Sequence, residues 1–116
     1  MRKLLFFAFI FIATASIKAQ QTEPLYEKAG DLVKVTNFYE DGTIKEQGFY
    51  KNKVITGTWT TFDKKGEKTA IAKYDNGAKV GKWFIWNKDG LKEIDYKNNI
   101  IVGVQSWKED MQIATK

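Results

Sequence analysis

The chain contains no cysteine and no histidine. Without cysteine it has no disulfide, no thiolate nucleophile or thiolate metal ligand, and no cysteine to which a lipid anchor is attached. Without histidine it lacks the commonest general base and the commonest metal ligand. We therefore expect a protein that is not an enzyme, with no catalytic residue, no metal and no cofactor.

The remaining residue types give little support to catalysis. Close carboxylate pairs occur at Glu40 with Asp41, at Glu93 with Asp95, and at Glu109 with Asp110. Glu93 and Asp95 share one face of a predicted strand, where a catalytic pair or a solvated strand end would place them, and we prefer the strand end. The glycines recur at hairpin spacing and never form a phosphate-binding loop.

The first nineteen residues have the pattern of an export signal. Arg2 and Lys3 form a positive start, residues 4–15 are apolar apart from one threonine, and Ala19 precedes two glutamines. The apolar run is too short for a stable membrane span. We predict cleavage after Ala19, with cleavage after Ala15 or an uncleaved anchor as alternatives. The protein is then periplasmic or secreted and is not a lipoprotein.

Removal of the signal changes the charge of the chain. The net charge of the full sequence is +5, with 19 basic and 14 acidic residues. Loss of Arg2, Lys3 and Lys18 leaves 16 basic residues and a net charge of about +2. A nearly balanced surface with scattered lysines lacks the basic patch of nucleic-acid-binding proteins. We expect no nucleic-acid partner.

Three copies of one pattern fill residues 38–107. Each copy has a turn glycine, a tyrosine, a strand glycine and, in the first two copies, a tryptophan two residues later. These are Gly42, Tyr50, Gly57 and Trp59; Gly66, Tyr74, Gly81 and Trp83; and Gly90, Tyr96 and Gly103. The third copy is shorter and has Gln105 at the tryptophan position, followed by Trp107. Such a period predicts one supersecondary unit stacked on itself.

Each copy reads as a β-hairpin. The segments between turns are rich in Thr, Val, Ile and aromatic residues, and Asn-Lys, Asn-Gly and Asn-Asn pairs mark tight turns. Two-residue loops at these turns would place Gly48 opposite Gly57, Glu46 opposite Trp59, Ala70 opposite Trp83 and Ile94 opposite Gly103. In this register the strand glycine makes room for a neighbouring ring.

The alternation of side chains divides the residues between two sheet faces. The repeated Tyr and Trp residues, with Trp107, fall on the first face and are interpreted as holding the sheet together. The second face carries large aromatic residues that differ between copies. These residues are either covered by the lead-in, the tail or the curling of the sheet, or they form an exposed apolar patch. Because exposed apolar patches often mark partner surfaces, our hypothesis is a partner-binding surface there. Its residues are Phe49, Phe62, Phe84 and Trp86.

The expected fold is all-β: a single-layer, twisted antiparallel meander of stacked hairpins with about seven strands. A strand from Leu32 to Tyr39 precedes the first copy. The predicted organisation is a signal peptide over residues 1–19, a flexible lead-in over 20–31, the repeat domain over 32–108 and a polar tail over 109–116. Exposed sheet edges permit either a monomer or an edge-paired homodimer.

The pattern Tyr-x-Asn-Gly-x-x-x-Gly-x-Trp between Tyr74 and Trp83 resembles the MORN repeat, and more closely its bacterial variant. The residues from Phe38 to Gly42 that open the first copy resemble it as well. The resemblance covers residues 38–107 and implies a single-layer sheet of stacked hairpins. It also implies binding or scaffolding roles at membranes and with proteins.

We therefore expect a non-catalytic exported protein that binds a protein or an envelope component through a sheet face. One alternative is a module that associates weakly with the membrane surface through interleaved lysines and aromatic residues. Some look-alikes are labelled antitoxins or nucleotide-related enzymes, which suggests an inhibitor or an enzyme. The chain has no histidine and no predicted βαβ unit for nucleotide chemistry.

Overall fold

A computed structural model describes residues 22–108, which form one open antiparallel sheet. The strands are β1 (Leu25–Ala29), β2 (Leu32–Phe38), β3 (Ile44–Lys51), β4 (Val54–Phe62), β5 (Lys68–Asp75), β6 (Ala78–Lys79), β7 (Gly81–Asn87), β8 (Gly90–Lys97) and β9 (Ile100–Lys108). Strands pair in chain order along the sheet, with β6 and β7 both paired to β5, which confirms the predicted all-β meander. The predicted export signal and the polar tail lie outside the described residues.

The sheet has nine strands where the sequence predicts about seven. Strand β1 pairs with β2 along its whole length, although residues 20–31 are predicted as a flexible lead-in. That prediction is wrong for Leu25–Ala29, because the short charged segment gives little strand signal of its own. The second difference is a break at Val80, which divides the return strand of the second copy into β6 and β7.

The tight turns form as predicted. Both central residues have positive φ in the Asn52-Lys53, Asn76-Gly77 and Asn98-Asn99 turns. Positive φ at both positions defines the type I′ turn, whose twist matches that of the flanking strands. Lys53, with φ of 67°, is a residue type that rarely adopts this conformation. The hairpins are therefore set by their turns, as the sequence indicates.

The predicted register is correct next to these turns and wrong beyond the strand glycines. Glu46 pairs with Thr61 and Ala70 pairs with Ile85, instead of pairing with Trp59 and Trp83. From Lys51–Val54 to Glu46–Thr61, one strand advances five residues and the other seven. Gly57 and Gly81 have φ of 73° and 68°, which only glycine adopts readily. Each of these glycines therefore lies in a bulge that adds two residues to the return strand.

The third copy has a smaller bulge. Ile94 pairs with Val104 instead of Gly103, so only one residue is added, and Gly103 does not have a positive φ. A change of one residue reverses the faces of the strand beyond the bulge. Val104 therefore takes the place of the ladder tryptophans, and Trp107 lies on the second face. The prediction of Trp107 on the first face is wrong for this reason.

The core lies on the first face, in a Tyr–Trp ladder formed by Tyr50, Trp59, Tyr74, Trp83 and Tyr96. Their rings meet edge-on or tilted, with centroid separations of 5.4 Å for Tyr50–Trp59, 5.2 Å for Tyr74–Trp83 and 4.9 Å for Trp83–Tyr96. Such geometry adds roughly 0.5–1.5 kcal/mol per pair beyond area burial. The ring contacts thus join the two strands of the first hairpin through Tyr50 and Trp59, and Trp83 joins Tyr74 of its own copy to Tyr96 of the third.

Trp59 also explains why Gly48 is a glycine. A Cβ at Gly48 would overlap the indole ring of Trp59, which covers the strand backbone at that point. The indole N–H of Trp59 donates to the carbonyl oxygens of Phe49 and Thr56, at 3.2 and 3.1 Å. The glycine that makes room for the tryptophan is therefore Gly48. The ring that lies beside Gly57 is that of Phe49.

Successive copies are also joined by their turns. The Gly77 N–H donates to the Ile55 carbonyl oxygen at 2.8 Å, and the Asn99 N–H donates to the Lys79 carbonyl oxygen at 2.9 Å. Ile55 and Lys79 occupy equivalent positions in the first two copies. The second and third tight turns therefore each pack onto the return strand of the copy before them, through equivalent hydrogen bonds.

Candidate functional site

The four predicted partner-binding residues share the second face but do not form one cluster. Phe84 and Trp86 stack, with ring centroids 6.2 Å apart and an interplanar angle of 27°. Phe62 lies on β4, two strands away from β7, and Phe49 lies on β3 against Gly57. Within residues 22–108, no ring contact joins either of them to the stacked pair. The structure thus brings together half of the predicted set.

Two further residues extend the stacked pair across the sheet. Leu91 on β8 pairs with Trp86 on one side and with Trp107 on the other. Directly opposed residues in antiparallel strands have Cβ atoms about 4.5–5.5 Å apart and lie on one face. We call Phe84, Trp86, Leu91 and Trp107 the Trp86 patch.

Sequence reasoning missed Leu91 and Trp107 for different reasons. The sequence analysis assigns Leu91, which directly follows a turn glycine, to neither face, whereas the β7–β8 pairing places it opposite Trp86. Trp107 depends on the register of the third copy, in which the missing bulge residue moves it to the second face. The signal that was available is the irregular spacing of that copy. A shortened hairpin indicates a change of register. Its length does not show which strand of the hairpin has fewer residues, nor at which position.

The Trp86 patch is only partly covered by the rest of the sheet. The Trp86 residue is 37% exposed, and Phe84, Leu91 and Trp107 are half-buried. By contrast, Trp59 in the ladder is 8% exposed. A tryptophan held by a stacked ring on one side and open to solvent on the other is well placed to fill a pocket of a partner, and such residues carry much of the energy in protein interfaces.

The charged groups beside the patch are paired with one another. Lys82 Nζ lies 2.9 Å from Glu93 and 3.9 Å from Asp95. The hydrogen bond with Glu93 raises the pKa of Lys82 above 10.5, its ordinary value. The two carboxylates thus share one lysine on the sheet surface.

The ladder has an electrostatic feature of its own. Lys79 Nζ lies 5.3 Å from the ring centroids of both Trp83 and Tyr96, within the range of cation–π attraction. Burial, followed by the negative charge of Glu46, raises the pKa of Tyr74 above its ordinary 10.0. The Lys79 ammonium thus contacts two rings of the ladder, and the Tyr74 phenol ionises less readily than a free one.

A groove lies at the end of the sheet away from the Trp86 patch, near β1. Its volume is about 310 Å³, and it is lined by Tyr26, Val33, Tyr50 and Lys53. Its lining is mostly apolar and includes one cation, without the convergent polar groups that orient a small molecule. Within residues 22–108, the acidic side chains form no cluster that would hold a metal ion.

In the described part there is no helix that is long and apolar enough to cross a membrane. No family model, no curated protein and no solved structure matches this chain.

Proposed function

We propose that this chain is a non-catalytic, exported β-repeat protein of the MORN-variant kind, which binds another protein or an envelope component through the Trp86 patch. The observation that carries the proposal is the exposed Trp86 ring stacked on Phe84, with Leu91 and Trp107 beside it. Exposed apolar clusters of this kind usually mark interaction surfaces.

The distribution of repeated residues supports the choice of face. The tyrosines and tryptophans of the first face recur between copies and contact one another in the ladder. On the second face, the row that contains Phe84 has Thr60 at the equivalent place in the first copy and Gln105 in the third. Phe84 is therefore free to serve a specific partner, because stacking of the copies does not require a ring at that place.

The charges near the patch favour a protein partner over a lipid surface. Binding to anionic lipid depends on lysines that are free to approach the headgroups. Lys82, two residues before Phe84 on the same face, is already paired with Glu93 and close to Asp95. The alternative is a module that associates with the membrane surface, and the experiment has to distinguish it from a protein-binding module.

The test is a binding comparison between matched variants. Immobilised protein is incubated with an envelope extract and with vesicles of anionic lipid, and the captured proteins are identified. Trp86→Ala and Phe84→Ala remove the stacked pair. Tyr26→Ala is the matched control, because it removes a ring that is 63% exposed at the far edge of the sheet.

We expect one or more proteins to be retained by the wild type and by Tyr26→Ala and to be lost with Trp86→Ala. Circular dichroism and urea unfolding establish that each variant is folded. If folded Trp86→Ala and Phe84→Ala keep every partner, the patch is not the binding surface. Salt-sensitive binding to vesicles without any protein partner would favour the membrane alternative instead.

A further inference from the structure

The outer edge of β9 is the most apolar edge of the sheet. Among residues 22–108, β9 pairs only with β8, so its other side is open. Ile100, Ile101, Val102 and Val104 are 66%, 54%, 58% and 52% exposed. From Asn98 to Trp107 the chain carries no charged side chain. An open, long, uncharged edge is a template for pairing with another strand.

The opposite edge of the sheet has the features that prevent such pairing. Strand β1 has five residues, two of which are Glu27 and Lys28, and Pro24 immediately precedes it. Short length, charges and proline are the usual means by which an edge strand is protected. The hairpin of β1 and β2 pairs without any bulge and lacks the Gly-x-Trp pattern. It therefore acts as a cap, whereas β9 has no cap among the described residues.

The contacts between successive hairpins indicate which kind of segment can pair with the outer side of β9. Each earlier return strand (β2, β4 and β7) pairs on its outer side with a further antiparallel strand. The carbonyl oxygens of Ile55 and Lys79 also receive the N–H of the following turn. Ile101 occupies the equivalent position in the third copy, with no following turn in the described chain. The outer side of β9 is thus equivalent to the outer sides of β2, β4 and β7, but among the described residues no further strand pairs with it.

We infer that β9 pairs with β9 of a second copy of this chain, in antiparallel orientation about a two-fold axis. A second copy supplies an uncharged edge of the same length, whereas its β1 edge presents Glu27 and Lys28. Within residues 22–108 each copy has one unprotected edge, so the assembly closes at two, with a capped β1 at each end. A contact of one strand per copy is smaller than the 20–30 residues per side of a standard interface, so dissociation at micromolar concentrations is expected.

The first test compares charge substitutions at the two edges. The wild-type protein is examined by sedimentation velocity from about 1 to 500 µM, where we expect a monomer–dimer equilibrium. Val104→Lys adds a like charge to the paired edge of each copy and is expected to weaken the dimer several-fold, on the order of the 0.2–1 kcal/mol of a cross-strand pair. Leu25→Lys is the matched control, since Leu25 is 41% exposed on β1, and it should leave the dimer unchanged.

The second test uses the absence of cysteine from the chain. Single cysteines are introduced at Val102, Val104 and Ser106, and the position nearest the two-fold axis should form an intermolecular disulfide under mild oxidation. Cysteine at Tyr26 on β1 should not. The inference is overturned by a wild-type monomer at every concentration, by growth beyond a dimer, or by a dimer that Leu25→Lys disrupts and Val104→Lys does not. None of these results depends on the Trp86 patch, so binding to a partner is tested independently.

Discussion

The three strand glycines, equivalent in sequence, are expected to respond differently to alanine. Gly81 has φ of 68°, in the left-handed region, where alanine costs about 1–2 kcal/mol. Alanine also lowers the entropy of the unfolded chain, which returns about 0.4–1 kcal/mol. A Cβ at Gly81 would lie 3.3 Å from Lys73 Cδ, and that flexible side chain can move aside. We expect Gly81→Ala to lower the free energy of unfolding by about 1 kcal/mol.

Gly103 is the matched control within the same chain. Its φ is not positive, and an added Cβ would lie at an ordinary 3.6 Å from Asp95 Cβ. Only the unfolded-state effect remains, so Gly103→Ala should be neutral or stabilise the protein by up to about 1 kcal/mol. The two variants should thus differ by roughly 2 kcal/mol, or on the order of 10 °C in Tm for a domain of this size.

The assay is urea unfolding followed by tryptophan fluorescence, with Gly57→Ala as a second test because Gly57 has φ of 73°. Gly57→Ala should behave like Gly81→Ala. Equal losses at Gly81 and Gly103 would refute the reasoning, because they would mean that the third copy contains the same bulge as the first two. A gain in stability at Gly81 would show that its backbone is not left-handed in solution.

Three further predictions concern the turns, the pH dependence and the N-terminus. Lys53→Gly should stabilise the protein by up to about 1 kcal/mol in urea unfolding, because glycine adopts the φ of 67° found at this turn position without strain. The raised pKa values of Tyr74 and Lys82 mean that the folded state binds their protons more tightly than the unfolded state. The stability that these two groups contribute is therefore fully present below about pH 10 and is lost as the pH rises through their raised pKa values. In urea unfolding between about pH 8 and 11, the free energy of unfolding of Tyr74→Phe should depend less on pH than that of the wild type. Intact mass measurement of the exported protein should give a chain that begins at Gln20, and a chain that begins at Ser16 or Met1 would contradict the predicted cleavage site.

The sheet was predictable because local signals define it. Asn-Gly and Asn-Asn pairs mark the type I′ turns, and the alternating β-branched and aromatic residues between them mark the strands. These signals lie within a few residues of the structure that they specify. Strand β1 is the exception, since Leu25–Ala29 has two charges and gains its strand form from pairing with β2.

The registers beyond the strand glycines were not predictable from the same signals. A glycine in a strand indicates either a bulge or a close approach of another group, and the residue itself does not distinguish them. Gly57 has the positive φ of a bulge, whereas Gly48 makes room for the Trp59 ring. The candidate site depended on this distinction, because Trp107 lies opposite Leu91, and so on the face of Trp86, only in the register that the third copy adopts.

The number of residues in each bulge connects the fold to the proposed binding surface. The hairpin of β1 and β2 adds none, the next two hairpins add two, and the last adds one. An even number leaves each side chain on its original face, so Trp59 and Trp83 both remain in the ladder. The odd number moves Trp107 to the second face, beside Leu91 and Trp86, and leaves Val104 at the ladder position on the open edge. One residue fewer in the third bulge therefore both enlarges the Trp86 patch and ends the ladder of tryptophans at β9.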